Sequence, residues 1–195
     1  MSITPNLMNN DCTSLDGWDV TDVDVSGGGF HFPRYSDIYM VGPLIPYAGN
    51  TATIEFRISY VDSSDRYGSA FLWAMNASTL VWLQFFNGND DKYGLYYGNT
   101  ETKLSDISFD GTTYTFRVEY DGANGEFTVY MDNVSLGTYP LMGNIFATAG
   151  LRWNTNSPDY EFYVLPNIKV GDGLGDFGST ESTEYVPRNI VKHRK

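Results

Sequence analysis

Residues able to do covalent or acid–base chemistry are few and scattered in this chain. There are two histidines, His31 and His193, and one cysteine, Cys12. Glu55, Glu119, Glu126 and Glu161 stand on separate strand-like segments, and none opens an E-x-D-x-x-E pattern. Glycosidic hydrolysis needs two carboxylates held on one face at a defined separation. A nucleophilic triad needs a histidine beside a serine or cysteine, with a third group to orient it. Neither can be assembled here. His31, in GFHFP, reads as a surface residue of a strand. SGGGF lacks the lysine and following helix of a phosphate-binding loop. The motifs therefore argue against an enzyme.

Binding chemistry is better represented. A sugar offers flat apolar faces rimmed by hydroxyls, which suits aromatic rings beside amides and guanidinium groups. In TLVWLQFFNG, Val81, Leu83 and Phe85 make one apolar face, and Trp82, Gln84 and Phe86 make the other. A strand apolar on both faces is central in a sandwich, covered by loops, or a binding platform. Trp73 in FLWAMN and Arg152 in LRWN complete the candidate glycan set. Trp153 reads as core, so Arg152 faces the other way. For a metal, oxygen ligands suit calcium. NGNDDKYG supplies Asn87, Asn89, Asp90 and Asp91, with Asp90 and Asp91 the candidate ligands. Asp62 and Asp65 in VDSSDRYG, or Asp11 meeting Asp172, are further sets; none has EF-hand spacing. Sequons stand at Asn76 and Asn133.

These residues are carried by strands. YTFRVEYDGANGEFTVYMDNV places Tyr114, Phe116, Val118 and Tyr120 on one face, alternating with Thr115, Arg117 and Glu119. Phe127, Val129 and Met131 alternate in the same way, so each strand has a buried face and a wet one. Asp121-Gly122-Ala123-Asn124-Gly125 and Asp132-Asn133 supply the turns. TATIEFRISYVD alternates through Ile54, Phe56, Ile58 and Tyr60. About twelve or thirteen short strands are expected, including one around Trp18 to Val25 and another interrupted near Pro43. Such a series, with 20 glycines and 15 tyrosines, predicts an all-β sandwich or jelly roll.

The charge bounds the partners. The 195 residues carry a net −12, which excludes nucleic acid, since phosphate contacts need a basic surface. Residues 1–187 hold 8 of the lysines and arginines against all 24 acids, and the last eight, RNIVKHRK, contribute Arg188, Lys192, Arg194 and Lys195. An acidic body with a basic tail suits assembly contacts with other subunits, in a homo- or hetero-oligomer. Cys12 reads as a small buried residue. MSITPNLMNN has neither a basic region nor an apolar core, so no signal peptide is expected. No apolar run reaches spanning length, so no membrane insertion is expected.

The sequence resembles the concanavalin A-like lectin/glucanase superfamily, in particular its laminin G-like members. DCTSLDGWDV, TATIEFRISY, GTTYTFRVEYDGANGEFTVYMDNVSLGTYPL and YEFYVLPNIKVGDG carry the resemblance. It implies a concanavalin A-like jelly-roll β-sandwich of two antiparallel sheets, the front one concave, over residues 11–173. An N-terminal arm, 1–10, would precede it, and a C-terminal extension with the basic tail, 174–195, would leave it. The family's catalytic E-x-D-x-x-E strand is missing here. The resemblance implies glycan binding on the concave face or its rim, often with Ca²⁺. Two roles follow: a non-catalytic glycan-binding module in a viral or cell-surface assembly, or a structural virion protein that uses its termini as assembly arms.

Overall fold

Period-two alternation leaves each strand with one apolar edge that only a second sheet can cover. In the computed structural model the described residues form sixteen β-strands and no helix. The structure describes residues 2–33, 38–42, 45–46, 51–62, 69–75, 78–86, 94–97, 102–107, 111–141, 148–155 and 161–178. For 38–39, 45–46, 60–62, 69–75, 78–82, 84–86, 94–97, 148–150, 152 and 154–155 it describes the backbone alone.

The strands are β1 Met8–Asn10, β2 Asp19–Thr21, β3 Asp24–Ser26, β4 Gly29–Phe32, β5 Ile38–Val41, β6 Ile45–Pro46, β7 Thr51–Asp62 and β8 Ser69–Met75. They continue as β9 Ser78–Phe86, β10 Gly94–Tyr97, β11 Thr102–Ser105, β12 Thr113–Asp121, β13 Glu126–Met131, β14 Val134–Pro140, β15 Thr148–Thr155 and β16 Glu161–Asp172. The first sheet has the order β14-β13-β12-β7-β16-β4-β3, with β1 also on β16. The second has the order β11-β10-β9-β8-β15-β5-β2, with β6 on β15. Every pairing between named strands is antiparallel.

The inner faces meet in an aromatic core. Trp153 of β15 packs edge-on against Phe56 of β7, centroids 5.5 Å apart. Trp18 closes over Trp153 at 6.0 Å and Phe30 at 5.3 Å. Phe116, Val118, Phe127, Leu83 and Leu151 are also fully buried. Each such side chain contributes roughly 1.5–3 kcal/mol of burial. The hairpin turns fall where the sequence put them. Asp132 and Asn133 take φ of 50° and 65°, and Gly125 takes 69°.

Three features differ from the sequence reading. The expected strand around Trp18 to Val25 is two strands, because Asp22 at φ 56° breaks it between the sheets. The outer face of the first sheet is not uniformly wet: Arg117 and Lys169 are buried there. The chain after Asp172 does not simply leave the sandwich, since Ile3 N–H donates to the Asp176 carbonyl at 2.7 Å.

Candidate functional site

Parity in the second sheet assigns its faces. Leu83, Leu151, Trp153 and Met40 are buried. Leu83 pairs with Phe71, Phe71 with Trp153, and Trp153 with Met40, which makes one row turned to the core. Neighbouring rows have the opposite parity. One runs Tyr96–Gln84–Ala70–Asn154–Tyr39–Thr21, and the next runs Trp82–Leu72–Arg152–Val41–Asp19. Phe86, paired with Gly94, shares the parity of Trp82 and Gln84. The register thus brings positions 82, 84, 86 and 152 to the face of the second sheet turned from the core. Trp82 and Arg152 are two strands apart, about 10 Å. Position 73 pairs with Leu151 and so has the parity of the buried row. The side chains at 73, 82, 84, 86 and 152 lie outside the described residues.

The first sheet presents a different outer face. A row crosses it as Tyr130–Arg117–Glu55–Lys169–Asn9. Lys169 Nζ donates to Glu55 Oε1 at 3.0 Å. The Arg117 guanidinium lies 4.0 Å from the Tyr130 ring centroid, with Nε 3.2 Å from Glu119 Oε1. Arg117 Nη1 donates to Asn133 Oδ1 at 3.2 Å, and the Tyr130 hydroxyl donates to Glu119 Oε2 at 3.2 Å. Burial, with the Glu119 charge second, pushes the Tyr130 phenol above its ordinary pKa. Two cations are matched to two carboxylates, so neither is buried without a counter-ion. Glu55 and Glu119 are thereby engaged with bases rather than poised opposite each other over a scissile bond.

His31 is not the plain surface residue its sequence context suggested. Its Nδ1 lies 3.2 Å from Asp24 Oδ2 and its Nε2 3.0 Å from Glu161 Oε1. Its ring stacks on Tyr163 at 4.6 Å. The imidazole ties β3, β4 and β16 together. A signal was present in the sequence: a two-residue turn at Gly27-Gly28 pairs Ser26 with Gly29, and so sets Asp24 opposite His31.

The metal candidates are not gathered among the described residues. Asp11 accepts from the Thr13 hydroxyl at 2.7 Å and amide at 3.1 Å, which hold its carboxyl below the ordinary value. Asp172 instead accepts from Asn6 Nδ2 at 3.1 Å. No cluster of three His, Cys, Asp or Glu that could hold a metal occurs among the described residues. Asp90 and Asp91 lie outside them, as do Asn87, Asn89, Asp65, Asn76, His193 and the tail residues Arg188, Lys192, Arg194 and Lys195.

No protein-family model matches the chain. No curated protein matches it by sequence either. Solved structures do. A carbohydrate recognition domain of Emp46p, metal-free form, aligns at TM-score 0.59 and 15% identity over 89% of this chain and all 100% of that one. The CBM2 module of the Lactobacillus casei BL23 phage J-1 evolved Dit aligns at TM-score 0.60 and 9% identity, over 87% of this chain and 96% of that one. A sialidase aligns at TM-score 0.64 and 12% identity over 82% of this chain, but this chain spans only 17% of its length. At such identities the likeness is one of fold: the chain has the antiparallel sandwich of concanavalin A-like lectin and carbohydrate-binding domains.

Proposed function

We propose that the protein is a non-catalytic carbohydrate-binding module whose glycan lies on the outer face of the second sheet. The observation that carries this reading is the register of that sheet. It aligns Trp82 and Arg152 in one row and Gln84 with Asn154 in the next. Trp82 would stack on the apolar face of a sugar ring. Gln84 and Arg152 would hydrogen-bond its hydroxyls, and Phe86 would extend the platform toward the strand end. Position 73 belongs with the core-facing row and has a supporting role. Neighbours named as a carbohydrate recognition domain and a CBM2 module support the reading. Calcium, if it takes part, would be held by Asp90 and Asp91. The test is a glycan array with the wild type, Trp82→Ala and Gln84→Ala, alongside far-UV circular dichroism. Loss of binding with an unchanged spectrum supports the site. A wild type that binds nothing on the array, or a Trp82→Ala that binds as well as wild type, refutes it.

A second reading places the module in a virion, as a decoration or tail component. It is favoured by the phage-borne neighbour and by the basic tail. Here Arg188, Lys192, Arg194 and Lys195 would contact acidic neighbouring subunits, and the contact would weaken with salt. Truncation after Gly178 should then reduce attachment to particles at low salt. Equal attachment of the truncated and full chains rejects this role.

A further inference from the structure

Both ends of the described chain are clasped to one another beside β16, with β1 in the plane of the first sheet. Asn10, Asn9 and Met8 pair with Ile168, Lys169 and Val170. Upstream, Leu7 N–H donates to the Val170 carbonyl at 3.0 Å, and Asn6 forms two hydrogen bonds with Asp172, 3.1 Å to its carboxylate and 2.9 Å from its amide. From the other end, Gly173 at φ 96° and Gly175 at φ 152° reverse the chain after β16. Asp176 then runs parallel to Ser2 in a bridge. The Gly173 carbonyl accepts from the Thr53 hydroxyl at 2.8 Å.

The side of the sheet is fixed by parity. Ile168 and Val170 are buried in the core, so Lys169 and Gly171 belong to the outer face. A Cβ on Gly171 would meet the Thr4 carbonyl oxygen and lie 2.9 Å from Phe177 Cε1. Lys169 Nζ lies 5.7 Å from the Phe177 ring centroid. Only a glycine lets Thr4 and Phe177 lie so close over β16. Thr4 and Phe177 therefore lie over the outer face of the first sheet at the end of β16, and Gly178 stands beside Ser2, whose Oγ a Cβ there would approach to 3.1 Å.

We propose that the module is polarised: the first sheet's outer face is its carrier side, and the second sheet's outer face is presented away from the carrier. Polypeptide joined at either clasped end starts on one side of the sandwich. The core, the thickness of two packed sheets at about 10 Å separation, lies between it and the row of Trp82 and Arg152. The orientation of display rests on the glycan-binding reading; the clasp itself does not.

Two measurements in a Cys12→Ser background separate them. Ser2→Cys with Asp176→Cys should oxidise to an intramolecular disulfide in most chains. Ser2→Cys with Thr138→Cys, four strands or about 19 Å across the sheet, should not. Failure of the first pair to close overturns the proposal whatever the chain binds. Next, biotin at Ser2→Cys or at Asp19→Cys, on the edge of the second sheet, ties the protein to streptavidin beads, each compared with its own untethered form. Beads tethered at Ser2 should keep capture of a polymeric glycan chosen from the array, and those tethered at Asp19 should lose at least about tenfold. Equal capture overturns the orientation. If neither free variant binds any glycan, the proposed function fails, and the disulfide alone decides whether the ends mark one side.

Discussion

Raising the pH from about 8 to about 11 should cost this protein stability through Cys12. The thiol is buried in the loop after β1, with Sγ 3.4 Å from the Leu165 carbonyl oxygen, to which it donates. Burial, with the Asp11 charge second, raises its pKa from 9.0 to about 12. The native state then keeps a proton that the unfolded chain loses. Stability is fully present below pH 9 and falls as pH rises toward 12. At about 1.4 kcal/mol per unit the full effect is on the order of 4 kcal/mol, and by pH 11 roughly 3 kcal/mol of it is gone. Tyr120, raised from 10.0 to about 12 by burial and then by Asp121, adds a loss in the same direction. Cys12→Ser removes the first titration and leaves the second. Urea unfolding of both proteins at the two pH values isolates the thiol as the difference between their losses. A Cys12→Ser protein that loses as much stability as wild type would show that the thiol is not protected. Slow labelling of native Cys12 by a disulfide reagent at about pH 8, and fast labelling in urea, is the matching kinetic expectation.

Lys169→Met should destabilise by roughly 1–3 kcal/mol, because Glu55 is left half-buried without its cation, and Glu55→Gln added to it should recover part of the loss; additive losses in a double-mutant cycle would deny the coupling. Gly29→Ala should cost roughly 1–3 kcal/mol by overpacking, since its Cβ would lie 2.5 Å from the Val164 carbonyl oxygen; an unchanged urea midpoint contradicts the close approach of β4 to β16. If Asp90 and Asp91 bind calcium, titration calorimetry should show heat that Asp90→Ala with Asp91→Ala abolishes, and a wild type without heat removes the metal from the glycan site.

The sequence by itself determined the strand class and the hairpins. Alternation in β7, β12 and β13 and the left-handed turn residues Asn133 and Gly125 are local, and local chemistry is what a linear pattern records. It also showed aromatic and amide types on one strand parity in TLVWLQFFNG, the residues the proposed glycan site draws on. Pairing order it did not hold. That Trp82 shares a row with Arg152, 70 positions on, while Trp73 shares one with Leu151, follows from β8 lying between β9 and β15. Only tertiary structure decided that Arg117 and Lys169 are buried, because a charged side chain tolerates burial when its partner, Glu119 or Glu55, is supplied at contact distance. The fate of the ends was decided there too. Residues 174–195 read as an extension leaving the sandwich, yet the missing side chain of Gly171 is what admits Thr4 and Phe177 and holds both ends of the described chain together.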